Sequence, residues 1–142
     1  VRDRDTLRRA LTENGIHAIC SDHQPHENDA KLAPFSATEP GISAIETLLP
    51  LTLRLVEENV LTLSEAVALV SYKPAEVMGL DAGSLGYGKR ADICVVDPQS
   101  HWEFQRETML SRGKNSPFHG WSFSTRVSHT LVGGRLVFGE FA

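Results

Sequence analysis

One short segment, residues 16–20, has the apolar character of a strand buried on both faces, and it limits the folds open to this chain. A helical pattern over residues 5–14 precedes the segment, with Gly15 as the helix C-cap. A helix, a tight turn and a buried strand are the repeating unit of an alternating α/β fold. One strand cannot form a parallel sheet by itself, so we expect neighbouring strands to precede Val1.

A long polar loop and several helices are predicted to follow this strand. The loop, residues 21–40, is rich in proline, histidine and aspartate, and so long a loop in a compact domain is usually functional or disordered. The apolar periodicity of residues 41–59 predicts a long helix, which Pro50 should kink or divide. Two shorter helices are predicted at residues 62–70, which open with the capping pattern TLSE, and at residues 74–78.

Beyond residue 80 the pattern changes to short β-strands. The alternating residues 91–96 predict one strand. Residues 127–132 and 135–138 flank a Gly-Gly dipeptide, which predicts a tight hairpin. The sequence therefore predicts two parts, an α/β part at residues 1–80 and a small β part at residues 81–142.

The composition excludes several classes of protein. The chain is 41% hydrophobic and 23% charged, as in soluble globular proteins. Its net charge of −4 argues against a surface built to bind nucleic acid or an anionic membrane. It has no apolar stretch of the roughly 18 residues needed to span a bilayer. Cys20 and Cys94 lie in strand-like apolar runs, so we expect reduced core cysteines in a cytoplasmic protein and no disulfide.

Asp22 opens the sequence DHQPH directly after the predicted strand. In an α/β barrel the active site lies at the C-terminal ends of the strands, where a carboxylate can bind a metal or take a proton from a metal-bound water. His26, four residues later, could donate a hydrogen bond to a substrate carboxylate. An alternative stays open, in which Asp22 caps the loop and the histidines are solvated, because one aspartate and two histidines do not make a metal site.

Three neighbouring segments resemble the eighth-strand region of dihydroorotases, which are cyclic amidohydrolases. They are residues 22–26 (DHQPH), 31–35 (KLAPF) and 41–51 (GISAIETLLPL). Two positions depart from the family pattern, since Gln24 stands where alanine is usual and Ala44 stands where glycine is usual.

Four further segments extend the resemblance in order across nearly the whole chain. They are residues 72–75 (YKPA), 83–93 (GSLGYGKRADI), 111–120 (SRGKNSPFHG) and 130–135 (TLVGGR). The resemblance implies the last αβ units of a metal-dependent hydrolase (β/α)8 barrel, followed by strands of a small C-terminal β-sandwich.

The resemblance also implies a zinc-dependent reaction, in which a zinc-bound hydroxide attacks the ring carbonyl of dihydroorotate. Asp22 matches the family aspartate that touches the metal and shuttles the proton, so it is both the metal ligand and the catalytic candidate. His26 matches the histidine that holds the substrate carboxylate, and Ala33 matches the turn whose backbone approaches the substrate ring. His23 is expected to be structural. The remaining metal ligands are expected upstream of Val1, so the isolated chain should be inactive.

By this resemblance we expect a homo-oligomeric enzyme of pyrimidine biosynthesis, acting on dihydroorotate and carbamoyl aspartate. The alternative is a non-catalytic dihydroorotase-like subunit that scaffolds aspartate carbamoyltransferase, and Gln24 and residues 38–41 resemble such forms. Dihydropyrimidinase and allantoinase are related hydrolases. The Asp22 to His26 spacing and the turn at residues 33–35 favour dihydroorotase over both.

We predict that the isolated chain self-associates or aggregates, because residues 16–20 and the adjoining helix faces would lack their neighbours. Size-exclusion chromatography with an apolar-dye assay checks this. A monodisperse monomer that unfolds cooperatively and binds little dye would contradict it.

Overall fold

The computed structural model describes residues 1–139, apart from the side chain of Asn28, so the last three residues of the predicted β part lie outside the described residues. The α-helices are α1 (Arg2–Thr12), α2 (Leu48–Glu57), α3 (Leu63–Leu69) and α4 (Tyr72–Val77). The strands are β1 (Ile93–Asp97), β2 (Trp102–Glu103), β3 (Ser122–Phe123), β4 (Arg126–Val132) and β5 (Arg135–Phe138). Within residues 1–139, no helix has the length and apolar character to cross a membrane.

The segment predicted as a buried strand, residues 16–20, is not a strand in the described structure. It follows α1 as irregular chain, and its side chains are half-buried or exposed. A strand needs a hydrogen-bonded neighbour on at least one edge, and this segment has none among the described residues. Ile19 instead donates its N–H to the carbonyl of Leu69 at 2.9 Å, which ties the segment to the end of α3.

Both cysteines are free, as predicted, but the expectation that they lie in the core is wrong. Cys20 and Cys94 are exposed. Cys20 ends the unpaired segment just described, and Cys94 lies on β1, which is an edge strand of its sheet.

The predicted helix at residues 41–59 is shorter than its apolar pattern indicates. A 3₁₀ turn at Ile45–Thr47 leads into α2, which begins at Leu48. Pro50 therefore lies in the first turn of α2 and does not kink it, because N–H groups in a first helical turn have no intrahelical acceptor to lose.

The capping box predicted before α3 is present. The hydroxyl of Thr62 accepts the N–H of Glu65 at 3.3 Å, and the N–H and hydroxyl of Thr62 donate to the Glu65 carboxylate at 2.8 and 2.7 Å. The hydrogen bond from the Thr62 N–H, and to a smaller extent the one from its hydroxyl, hold the pKa of Glu65 below its ordinary value of 4.5. The ionised Glu65 carboxylate therefore stabilises the folded chain above pH 4.5, and this stabilisation is lost as the pH falls through the lowered pKa.

The β part contains an antiparallel three-stranded sheet with the order β1-β4-β5 and a small β2-β3 pair. The predicted hairpin joins β4 to β5. Gly133 and Gly134 have φ angles of 56° and 81°, the two positive values that a type I′ turn requires.

Two apolar clusters stabilise the described chain. The first is centred on α2 and α3, and β1 contributes Val96 to its edge. The second is centred on the β part, and α2 contributes Leu51 to its edge. Both clusters therefore cross the predicted boundary at residue 80, and the division into parts 1–80 and 81–142 stays a prediction. Their buried members are Leu53, Leu61, Ala66 and Leu69 in the first, and Phe104, Met109 and Phe123 in the second.

We predict that Thr62→Ala lowers the free energy of unfolding by about 1 kcal/mol, because it removes the hydroxyl that caps α3. Thr62→Ser keeps the hydroxyl and should stay close to the parent in chemical denaturation. Equal stability of the Ala and Ser variants would argue against the cap.

Candidate active site

Two loop segments lie side by side where the predicted site residues are found. His23 and Ile42 form an isolated parallel bridge, and the N–H of Gln24 donates to the carbonyl of Ile42 at 2.8 Å. The chain from Asp22 to His26 is thereby held against residues 41–43. The fold brings these two segments together although the loop of residues 27–40 separates them in sequence.

Asp22 lies at the turn where this chain leaves the irregular segment. Its φ angle of 43° is in the left-handed region, which aspartate adopts more readily than most residues with a Cβ. Its carboxylate is exposed and accepts a hydrogen bond from the side-chain amide of Gln24 at 3.3 Å. The departure at position 24 thus places an amide donor beside the candidate catalytic carboxylate.

Gly41 makes room for that amide. Its φ angle is 86°, and a Cβ at this position would lie 2.2 Å from the side-chain oxygen of Gln24. A side chain at position 41 would therefore force Gln24 to move, and the Gln24–Asp22 hydrogen bond depends on glycine here.

His26 is half-buried and is held at both its ring and its backbone. Ring Nε2 lies 2.9 Å from the carbonyl oxygen of Pro40, and the backbone N–H donates to Oδ1 of Asn115 at 2.8 Å. A carbonyl oxygen only accepts, so Nε2 carries the proton and Nδ1 is the nitrogen left for a ligand.

His23 has a structural role, as expected. Its Nδ1 accepts the N–H groups of Ala44 and Ile45 at 3.0 and 3.2 Å. These N–H groups lie at the start of the 3₁₀ turn Ile45–Thr47, where the backbone has donors without helical partners. The ring therefore caps this turn.

Ala33 lies on the exposed turn that follows the 3₁₀ helix Asn28–Lys31. Its carbonyl accepts the hydroxyl of Thr38 at 2.8 Å. In the described part of the chain no group accepts its N–H. A turn fixed through its carbonyl, with its N–H available, is suited to bind a polar group of a ligand.

Glu46 joins this region to the β part. Its two carboxylate oxygens accept the consecutive N–H groups of Leu110 and Ser111 at 3.0 and 2.9 Å. Ser43 adds a hydroxyl contact to the Ser111 hydroxyl at 3.1 Å. Both partners of the Glu46 carboxylate are therefore backbone groups of the β part.

Asn115 also joins the two parts. Besides accepting the His26 N–H, its side-chain amide donates to the carbonyls of Gln24 and Gly41 at 3.0 and 3.4 Å. Its backbone carbonyl accepts the N–H of Ser43 at 3.2 Å. The resemblance over residues 111–120 includes this residue, but it carries no information on which backbone groups it contacts.

The described residues do not form a complete metal site. Among residues 1–139 no three His, Cys, Asp or Glu side chains lie together as a metal would require. A catalytic zinc takes about three protein ligands, and Asp22 supplies one carboxylate of a suitable type. Any metal held by Asp22 therefore needs ligands from outside this set of residues.

The comparison with protein families gives the class of protein. The amidohydrolase family model matches residues 1–137, so the chain belongs to the amidohydrolase family.

Curated relatives within this family carry dihydroorotase names. The chain is 48% identical over 134 residues to a dihydroorotase-like protein of Pseudomonas aeruginosa, covering 94% of this chain and 31% of that protein. It is 40% identical over 136 residues to a dihydroorotase of Geobacter sp., covering 96% and 32%. The chain spans about a third of the length of these relatives.

Solved structures of cyclic amidohydrolases share the fold. A D-hydantoinase (dihydropyrimidinase) from Thermus sp. matches with a TM-score of 0.88 and 28% identity, over 97% of this chain and 32% of that one. An L-hydantoinase (dihydropyrimidinase) from Arthrobacter aurescens gives 0.86 and 28%, over 96% and 32%. These matches confirm the resemblance to cyclic amidohydrolases and the predicted fold class, part of an α/β amidohydrolase barrel with a small β part.

We predict that Glu46→Ala lowers the free energy of unfolding by about 1–2 kcal/mol. Hydrogen bonds to a charged acceptor contribute about 1.5–3 kcal/mol, and water can replace part of this at the exposed Leu110. Glu107→Ala, which removes an exposed carboxylate from the 3₁₀ turn Arg106–Thr108 of the β part, is the matched control and should have little effect in thermal unfolding. Equal losses in the two variants would contradict the prediction.

Proposed function

We propose that the protein containing this chain is a zinc-dependent cyclic amidohydrolase that opens the ring of dihydroorotate to carbamoyl aspartate and closes it again. The observation that carries the proposal is the shared placement of Asp22, exposed at a turn, and His26, held by the same pair of loop segments. The dihydroorotase names of the relatives support this substrate over other cyclic amides.

Asp22 is proposed to bind the metal and to move the proton. Zinc held in part by Asp22 would supply Lewis-acid chemistry to the ring carbonyl and to a water. The Asp22 carboxylate takes a proton from the attacking water and returns it to the ring nitrogen as the carbon–nitrogen bond breaks, so that charge and protons balance. The amide of Gln24 holds the carboxylate in place during these transfers.

His26 and Ala33 are proposed to bind the substrate. The N–H of Ala33 donates to a polar group of the ring, since its carbonyl is already taken by Thr38. The ring of His26 donates to the substrate carboxylate. Its Nε2 already donates to Pro40, so Nδ1 is the ring nitrogen that makes this hydrogen bond.

Several properties of the whole protein are part of the same proposal. The protein is proposed to act in pyrimidine biosynthesis, which fits the dihydroorotase names of its relatives, and to form a homo-oligomer. A cytoplasmic location is supported by the two free cysteines. A non-catalytic subunit that scaffolds aspartate carbamoyltransferase is the alternative outcome, and zinc content with turnover distinguishes the two.

We predict that Asp22→Asn in the full-length protein lowers kcat for carbamoyl aspartate and for dihydroorotate by about 10²–10⁴-fold, because it removes the proton acceptor. Asp29→Asn is the matched control, an exposed carboxylate of the same loop, and should leave kcat unchanged.

A steady-state assay with both compounds, together with zinc analysis, checks the prediction. A parent protein that holds no zinc and turns over neither compound would favour the scaffolding alternative. Full activity in Asp22→Asn would overturn the role of this residue.

A further inference from the structure

The side-chain amide of Asn115 occupies the place that a neighbouring strand would occupy beside residues 24–26. It accepts the N–H of His26 at 2.8 Å and donates to the carbonyl of Gln24 at 3.0 Å, as a peptide group of an adjacent strand does. It also reaches the carbonyl of Gly41 at 3.4 Å. One amide therefore holds both segments that flank the candidate site.

The loop that carries Asn115 packs tightly against Pro25 and His26. Gly113 is buried, and a Cβ there would lie 2.5 Å from Cβ of Pro25 and 2.7 Å from the N atom of His26. A residue with a Cβ at position 113 would therefore clash with Pro25 and His26. The absence of a side chain lets the loop pack directly against their backbone. The carboxylate of Glu46 fixes the start of the loop by accepting two of its N–H groups.

Among residues 1–139, the ring of His26 makes one hydrogen bond, to the carbonyl of Pro40. Pro40 directly precedes Gly41, whose carbonyl also accepts from Asn115 and from Lys31. Asn115 thus holds the backbone of His26 directly, and together with Lys31 it holds the residue that follows the acceptor of the His26 ring. A shift of either would move the ring relative to a substrate.

We infer that Asn115, which lies in the β part beyond the predicted boundary, is the positioning residue for His26 in substrate binding. Its side-chain amide is engaged by these backbone groups and sets where the His26 ring stands. The inference rests on the proposed function for its substrate, since His26 is there assigned to the substrate carboxylate. It makes the β part a component of the binding site.

The test is a kinetic comparison of variants of the full-length protein. Asn115→Ala should raise KM for carbamoyl aspartate about tenfold and change kcat by less than about threefold, because a binding contact is lost in ground state and transition state alike. Asn115→Asp should have at least as large an effect, since a carboxylate oxygen would face two carbonyl oxygens. Ser116→Ala should match the parent, because within the described chain the Ser116 hydroxyl bonds only to the N–H of Phe118 in its own loop.

A double-mutant cycle shows whether Asn115 acts through His26. In a His26→Ala background, Asn115→Ala should raise KM no further, because the residue that it positions is already absent. Additive effects of the two substitutions would overturn the inference. So would a loss confined to kcat and melting temperature, with KM unchanged, since that is the result of a purely structural role.

A readout that needs no turnover separates the two proposals. Deuterium uptake by a peptide covering residues 22–32 should be faster in Asn115→Ala than in the parent or in Ser116→Ala, because the His26 N–H loses its acceptor. Equal uptake would overturn the positioning role even in an active enzyme. A parent that turns over neither compound would instead overturn the proposed function.

Discussion

The candidate site depends on hydrogen bonds between side chains and the backbone of loops. Residues 23–26 and 41–43 are not part of a regular sheet in the described structure, so their N–H and C=O groups cannot all be satisfied by a strand ladder. Asn115 supplies missing partners by accepting the N–H of His26 and donating to two loop carbonyls, and Glu46 holds the loop that leads to Asn115 by accepting the N–H groups of Leu110 and Ser111. Because these partners come from opposite sides of the predicted boundary, neither part forms this site alone.

Local features were predictable because their cause lies within a few residues. The capping box at Thr62 and Glu65 is a bond between residues three apart, and the hairpin at Gly133 and Gly134 needs two adjacent residues that accept positive φ. The length of α2 was predicted wrongly because apolar periodicity continues before Leu48. The chain there forms the 3₁₀ turn Ile45–Thr47, which His23 caps. Periodicity reports which side chains are apolar and not which backbone groups are bonded.

Longer-range features could not be derived in this way. The strand predicted at residues 16–20 needs neighbouring strands that the described residues do not include. The apolar pattern of the segment therefore indicates a strand, whereas its observed backbone is irregular. Asp22 and His26 were singled out because they follow the predicted strand and match the family motif at residues 22–26, and their roles stay predictions. The contact between Asn115 and His26 spans 89 residues, and no spacing rule indicates it. Only the folded arrangement brings the two residues together.

The close approach of Gly113 to Pro25 has a consequence for recombination among homologues. A hybrid protein that takes residues 1–80 from one family member and the β part from another would bring together two surfaces that had never been matched. Any side chain at position 113, or a different backbone path at position 25, would prevent the loop of residues 111–116 from packing against Pro25 and His26. Crossovers should therefore succeed most often when both surfaces come from one parent, which makes this contact a practical guide to where such genes can be joined.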